Sequence, residues 1–401
     1  MQVQPEIESF AKIKVIGVGG SGGAAVNRMQ EVGVKGVEFI AINTDAQALH
    51  HNNADQKIHI GKTLTRGLGA GMNPDVGKAA AEENQDEIID AIKGADMVFL
   101  TCGLGGGTGS GATPIIADLA REHGALTVAF VTKPFDFEGA QRRQIALSSF
   151  DELVGRVDTL LSIPNDRIFQ IIDKKTSMIE AFGAVDDVMR QGVQGIAELI
   201  TAPGLVNVDF ADVKAVMKDA GSALMGIGTS TGEERAAAAA KQAIESPLLE
   251  LSINGAKGIL FNVVSGPDLG MYEIDQAAKV ITESADANAK VIFGATIDES
   301  MGEEMRITVV ATGFEGSGNA TTNSVSSFMS SPTEKSSPVT IGSSAPKTMQ
   351  RGSVNLGGQP KPEVLKTNEV IADDVPEVAE PKQESDELDI PAFIRRKMKQ
   401  K

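Results

Sequence analysis

Asp96-Met-Val-Phe-Leu-Thr-Cys-Gly-Leu-Gly-Gly-Gly-Thr-Gly-Ser-Gly111 is the stretch on which the reading of this chain turns. Met97 to Thr101 is a short apolar run of strand type, and helical periodicity resumes at Ala112. Between them stand Gly103, Gly105, Gly106, Gly107, Gly109 and Gly111, six glycines that are not read as core packing. Without Cβ atoms they let the backbone take positive φ and press its N–H groups against a polyanion. The helix start that follows adds partial positive charge. The loop has no lysine, so it is not the Gly-Lys-Ser/Thr phosphate loop, and phosphate charge must be met by N–H groups and a metal. A flexible glycine turn is the alternative that these residues alone leave open.

Upstream, Lys12 to Val18 reads as a first strand, and Gly19-Gly20-Ser21-Gly22-Gly23 turns it into a helix from Ala24 to Val32. Gly17, Gly19 and Gly22 also fit a dinucleotide fingerprint, with Glu38 near the distance of ~20 residues at which a ribose-binding acid belongs. A Rossmann-type oxidoreductase is therefore a competing reading. It leaves the second glycine loop unused, whereas two glycine loops after two strands suit one extended phosphate chain gripped from two sides.

Strands at 37–42, 126–131 and 159–163 alternate with helical stretches, which predicts a mostly parallel sheet covered on both faces, with ligands at the strands' carboxyl ends. Several candidates fall at that edge, each with a plainer role beside it. Asn43 and Asp45 suit a ligand or the cap of a helix at 46–50. The loop Gly67 to Pro74, which includes Ala70 and Gly71, ends with Asn73 as N-cap and Pro74 at the first position of a helix to about Lys93. Glu138 and Arg142 stand at i, i+4 and form at least a helical ion pair. Asn165 faces the ligand edge or caps a short helix. The long helix over 177–201 carries Phe182 and Asp186 one turn apart, placed to stack on and hydrogen-bond a base if not simply core. Beyond it, Asp209 and Asp212 share one face of a helix that starts near Asp209, with the amide Asn207 nearby. Capping explains them, and so does a pair of carboxylates that polarises water.

The chain has 401 residues, 41% of them hydrophobic, and a net charge of −17, which suggests two folded units and a tail. The acidic balance argues against nonspecific nucleic-acid binding and against direct attachment to anionic membrane. Cys102 has no partner for an internal disulfide, the first residues lack a secretory pattern, and no apolar run reaches the ~18 residues of a membrane span. A cytoplasmic protein, held at a membrane only through a partner, is expected. The four histidines lack zinc spacing. Strands at 221–228, 258–265, 290–297 and 306–312 with helices at 233–245 and 272–285 predict a smaller mixed α/β unit. From Gly316 to Glu384 the composition is that of a disordered linker. Leu388-Asp-Ile-Pro-Ala-Phe-Ile-Arg-Arg-Lys-Met-Lys399 then sets apolar anchors beside basic residues, a docking peptide on a tether or else a frayed end.

Gly19 to Gly23, Gly105 to Gly111, Asn207-Val-Asp-Phe-Ala-Asp212 and Leu388 to Phe393 together resemble the FtsZ family, bacterial tubulin-like cell-division GTPases. The likeness spans about 12–314 and resumes at 388–397. It implies a flexible segment at 1–11, a GTP-binding domain at 12–176, a central helix at 177–203, a polymerisation domain at 204–314, a linker at 315–385 and a partner-binding tail at 386–401. Both glycine loops would hold GTP or GDP phosphates through Gly19, Gly20, Ser21, Gly22, Gly23, Ala24, Gly103, Gly105, Gly106, Gly107, Thr108 and Gly109, with Mg²⁺ and possible K⁺. Asn43, Asp45, Ala70 and Gly71 count among the nucleotide contacts. Glu138 and Arg142 would lie by ribose and phosphates, and Asn165, Phe182 and Asp186 would address guanine. The resemblance also decides for catalysis at Asn207, Asp209 and Asp212, which would reach the nucleotide of the next subunit in a head-to-tail filament, part of a midcell ring. Leu388, Asp389, Ile390, Pro391, Phe393, Ile394 and Arg395 would bind FtsA-like and ZipA-like tethers and MinC-like regulators. Ser21, Ala24 and Ser110 depart from the family's common residues. A non-hydrolysing scaffold is a third reading, against which the presence of both Asp209 and Asp212 argues.

Overall fold

The computed structural model describes residues 11–202, 204–247 and 252–314. The docking peptide and the linker expected from the sequence lie outside these residues.

The N-terminal half runs β1 (Ile13–Val18), α1 (Gly19–Val32), β2 (Val37–Asn43), α2 (Ala46–His50), β3 (Gln56–His59), α3 (Lys62–Thr65), α4 (Pro74–Glu83), α5 (Gln85–Ile92), β4 (Met97–Gly103), α6 (Gly107–Glu122), β5 (Leu126–Lys133), α7 (Ala140–Val154) and β6 (Thr159–Pro164). The chain continues through α8 (Met178–Thr201), α9 (Phe210–Met217), β7 (Gly221–Ser230), α10 (Arg235–Ile244), β8 (Gly258–Ser265), α11 (Met271–Glu283), β9 (Lys290–Ile297) and β10 (Met305–Thr312). Strand order is β3-β2-β1-β4-β5-β6-β7-β10-β8-β9. The first seven strands are parallel. β10 runs antiparallel to both of its neighbours.

Strands covered on both faces must be apolar on both, and β4 and β5 are buried almost throughout. Their residues alternate between two cores. Phe99, Val128 and Phe130 pack under α1, α8 and α9, while Val98, Leu100, Ala129 and Val131 pack under α4, α5, α6 and α7. A third core joins α10 and α11 to β8 and β10. The two halves share more than the central helix, because β6 pairs with β7 from Thr159–Gly221 to Leu161–Ala223.

α8 opens with a capping box, Ser177 Oγ accepting the Glu180 N–H and Glu180 Oε2 accepting that of Ser177. Its 24 residues at ~1.5 Å each span about 36 Å. Since β7 is parallel to β6, α8 must carry the chain from the carboxyl ends of the strands back to their amino ends. Two expectations change. The helix expected from Pro74 to about Lys93 is broken at Asn84, whose Oδ1 accepts the Gly61 N–H at 2.9 Å, so α4 and α5 are separate. β3, four residues of which only Ile58 is fully buried, was not anticipated. Among the described residues no helix is long and apolar enough to cross a membrane.

Candidate active site

Two helix N-termini meet at the carboxyl ends of β1 and β4. α1 starts directly after Val18 and α6 after Gly106, and neither has a side-chain cap or an acid in its first turn. Their N–H groups and dipoles are left for an outside anion. Gly19, at φ 75°, makes the approach possible: a Cβ there would stand 3.1 Å from the Gly109 nitrogen. Around Gly20, Gly71 and Gly106 an added Cβ would meet nothing within 4 Å. These glycines face open space.

The other glycines correct the sequence reading, which set all six of the second loop outside the core. Gly107, Gly109 and Gly111 are buried in α6. A Cβ on Gly107 would lie 2.8 Å from Ala70 Cβ and from the Asn73 nitrogen, and one on Gly111 would strike the Pro74 carbonyl oxygen. They let α6 press against α4, and from the α4 side Gly77 meets the Gly107 carbonyl. Ser21, one of the departures from the family pattern, lays its hydroxyl over Gly103 and so packs one loop on the other. Ser110 Oγ, buried, accepts the Gly105 N–H at 2.9 Å.

Other candidates gather at the same edge. Thr108 Oγ1 lies 2.7 Å from Thr44 Oγ1 in a buried pair that ties the second loop to the end of β2. Asn43 is buried, and Asp45 caps α2 by accepting the N–H groups of Gln47 and Ala48. Asn73 caps α4 with Pro74 next, as the sequence predicts. Glu138 pairs with Arg142 and also accepts the Phe135 N–H at 2.9 Å. The Arg142 backbone carbonyl lies against Gly105.

The far side of the cleft is aromatic. Phe135, buried, stacks with Phe137 at 5.0 Å and meets Phe169 and the edge of Phe182 at 5.4 Å. Phe182 is 39% exposed, so it is no core residue despite its helical spacing. Asn165 is buried with its Oδ1 unsatisfied, a cost that a ligand's N–H group would remove. Burial pushes the Asp186 carboxyl up to about 7, against the pull of Arg28. Asp187, also partly buried, is nonetheless held below the usual range by hydrogen bonds from Arg190 and Gln191 and by the charges of Arg190 and Arg28.

Asn207, Asp209 and Asp212 are not brought to this cleft. They follow α8 and precede α9 and β7, at the amino ends of the strands. Asn207 Oδ1 accepts the Gly204 N–H at 2.7 Å, and Val206 pairs with Ala295 of β9. Asp209 caps α9 through the Ala211 N–H at 3.0 Å. Asp212 is exposed, with Lys290 Nζ 4.0 Å away.

This arrangement has counterparts. Residues 12–173 match the GTPase domain of the Tubulin/FtsZ family, and residues 221–315 match the FtsZ family C-terminal domain. An empty FtsZ dimer from M. jannaschii is 47% identical, with 77% of this chain and 90% of that one covered and a TM-score of 0.74. The chain belongs to the FtsZ family. CetZ2 from Haloferax volcanii, a GTPγS-bound protofilament, shares the fold at 23% identity, with 75% and 92% covered and a TM-score of 0.65.

Like other FtsZ-family proteins, the chain is a tubulin-like GTPase that binds GTP and GDP. Sequence reasoning missed Thr44, whose role depends on a partner 64 positions away, and the Phe135 cluster, although Phe135-Asp-Phe137 stood in plain sight. Among the described residues no group of three or more His, Cys, Asp or Glu side chains stands ready for a metal. A Mg²⁺ ion fits here only as a companion of the phosphates, a mode it commonly takes, keeping several waters.

Proposed function

We propose that the chain assembles head to tail and that GTP held by the glycine loops of one subunit is hydrolysed by the 207–212 loop of the next. One observation carries this reading: the nucleotide cleft and the acidic loop lie at opposite ends of the strands, too far apart to cooperate within one chain. Each end also exposes large apolar side chains, Leu68 (86%) and Phe137 (61%) beside the cleft and Leu205 (67%) beside the loop, as an interface between copies requires. Joining unlike ends gives a heterologous contact that need not close, hence a filament.

The nucleotide contacts named above follow from this placement. Phosphates lie on the N–H groups from Gly19 to Gly23 and Gly106 to Gly109, with Gly105, Thr108, Asn43, Asp45, Ala70 and Gly71 around them. Glu138 and Arg142 flank the ribose and phosphates, and Asn165, Phe182 and Asp186 hold the base. Mg²⁺, when bound, neutralises phosphate charge; K⁺ is a second cation to test. In the loop, Asp209 spends one oxygen as a helix cap and Asn207 braces Gly204. Asp212 is the freest carboxylate and takes the part of orienting water toward the γ-phosphate across the interface. In the cell the filaments form the midcell division ring. The peptide from Leu388 to Arg395, outside the described residues, docks them to FtsA-like or ZipA-like tethers and to MinC-like regulators.

Mixing separates a shared site from a private one. Asp212→Asn and a variant blocked at the phosphates, Gly106→Trp, are each expected to release almost no phosphate from GTP alone. Together they regain activity, because a blocked subunit still presents its Asp212 to a neighbour's GTP. No recovery in mixtures that co-sediment as polymer would sink the shared site.

A further inference from the structure

The base end of the cleft holds a pair of adjacent carboxylates in unlike states. Asp187 is fully engaged: Arg190 donates from Nε at 2.7 Å and Nη2 at 3.2 Å, Gln191 Nε2 donates at 2.6 Å, and Arg28 Nε stands 3.7 Å away. Asp186 has no hydrogen bond or ion pair among the described residues, although it is partly buried. Guanine presents two donors side by side, N1–H and the exocyclic amine, and a carboxylate with both oxygens free is their natural complement. Only the ionised form serves, since a protonated acid would turn an O–H toward a donor.

An unpaired, partly buried carboxylate needs a nearby cation to stay ionised. Burial raises Asp186 to about 7, and Arg28 is the charge that opposes the rise. The other charged groups on the elements packed against α8 are Glu31 on α1, Lys133 on β5, Asp166 and Arg167 on the 3-10 turn after β6 and Lys290 on β9, with Glu180, Asp187, Arg190 and Glu198 on α8 itself; the charge that opposes the rise is that of Arg28. Arg28 lies on α1, which packs directly on α8, and divides itself between Asp187 and Glu31, the latter at 3.6 Å. One turn earlier on α1 stands Ala24, which has no hydrogen-bonding side chain. The contribution of α1 to the base end is thus electrostatic.

We propose that Arg28 is a positioning residue for guanine: anchored to Asp187 across the α1–α8 contact, it keeps Asp186 an ionised, unshared acceptor for the base. This rests on the placement of guanine against α8 given above. The proton enters with a definite sign. Asp186 must be ionised to bind, so affinity is full above its midpoint and falls as pH drops through it. Removing Arg28 moves that midpoint upward.

GDP binding by the full chain, followed by calorimetry from pH 6 to 9, tests this. The wild type is expected to lose affinity below a midpoint near 7, approaching about tenfold per pH unit. Arg28→Gln shifts the midpoint upward, which lowers affinity at pH 7 and is recovered at higher pH. Arg28→Lys, which keeps the charge, holds the wild-type midpoint. An unchanged midpoint in Arg28→Gln, or the same upward shift in Arg28→Lys, overturns the role of Arg28 while leaving the base site standing. Asp186→Asn checks the underlying placement separately: if it binds GDP with wild-type affinity and pH profile, guanine is not read by Asp186.

Discussion

The two ends of this molecule are built on opposite principles. At the nucleotide end, backbone is pressed against backbone, with Gly19 on Gly109, Gly107 on Asn73 and Gly111 on Pro74, and the N–H groups that matter are fixed before any ligand arrives. At the other end a short loop is tied by one side-chain hydrogen bond at Asn207, one bridge at Val206 and one cap at Asp209, and its Asp212 carboxylate, the proposed catalytic group, stands in solvent. Binding benefits from preorganisation in the free subunit. A catalytic group that acts on a neighbour has nothing to act on until assembly, and free solvation costs it nothing meanwhile. The contrast predicts that substitution of Asp212 alters turnover alone, whereas substitutions at the glycine cradle divide into structural and ligand-facing sets.

The largest effect is expected at Asp212. Asp212→Ala should lower kcat by about 10²–10⁴-fold, the range for a lost catalytic acid or base, with GTP affinity and melting temperature unchanged. Phosphate release measured above the assembly threshold, beside nucleotide binding on the same sample, checks it. Turnover within a few-fold of wild type would end the assignment and with it the functional half of the contrast.

Next come two glycines of the same loop that the geometry sets apart. Gly111→Ala places a methyl on the Pro74 carbonyl and should cost about 1–3 kcal/mol of stability as α4 and α6 are forced apart. Gly106→Ala meets nothing, and its φ of −88° suits any residue. Its stability should be that of the wild type, while GTP affinity drops about tenfold, or ~1.4 kcal/mol, because the methyl stands where phosphate approaches. Denaturant melts and nucleotide titrations on both variants settle the division. Equal stability losses would mean the cradle has no open face.

That division marks where sequence reading ran out. Strand, loop and helix around 96–111 were legible because apolar runs and glycine punctuation are local, and Asn73-Pro74 announced α4 by capping chemistry alone. Glycine's second use was hidden: whether Gly111 faces a ligand or Pro74 depends on a residue 37 positions away in sequence. The break at Asn84 was hidden for the same reason, since its side chain answers Gly61 across the fold. Residue spacing alone leaves Asp209 and Asp212 ambiguous, because a cap and a catalytic acid demand the same residue at a helix start, and only the family resemblance favours catalysis. The structure shows Asp209 capping and Asp212 exposed, a difference of environment that spacing cannot encode.

The smallest effect tests how loosely the acidic loop is held. Lys290 Nζ stands 4.0 Å from Asp212 with both side chains more than half exposed, so the pair is screened and contributes about 0–1 kcal/mol. Lys290→Gln should therefore leave the melting temperature nearly unmoved. Turnover should change by no more than about threefold, with the direction informative. A modest rise means Lys290 restrains a carboxylate that assembly must free, and a modest fall means its charge helps draw the loop toward the neighbour's phosphates. A loss of several kcal/mol would show instead that the loop is braced as firmly as the glycine cradle, and the asymmetry between the two ends would no longer support the proposal that hydrolysis requires a second subunit.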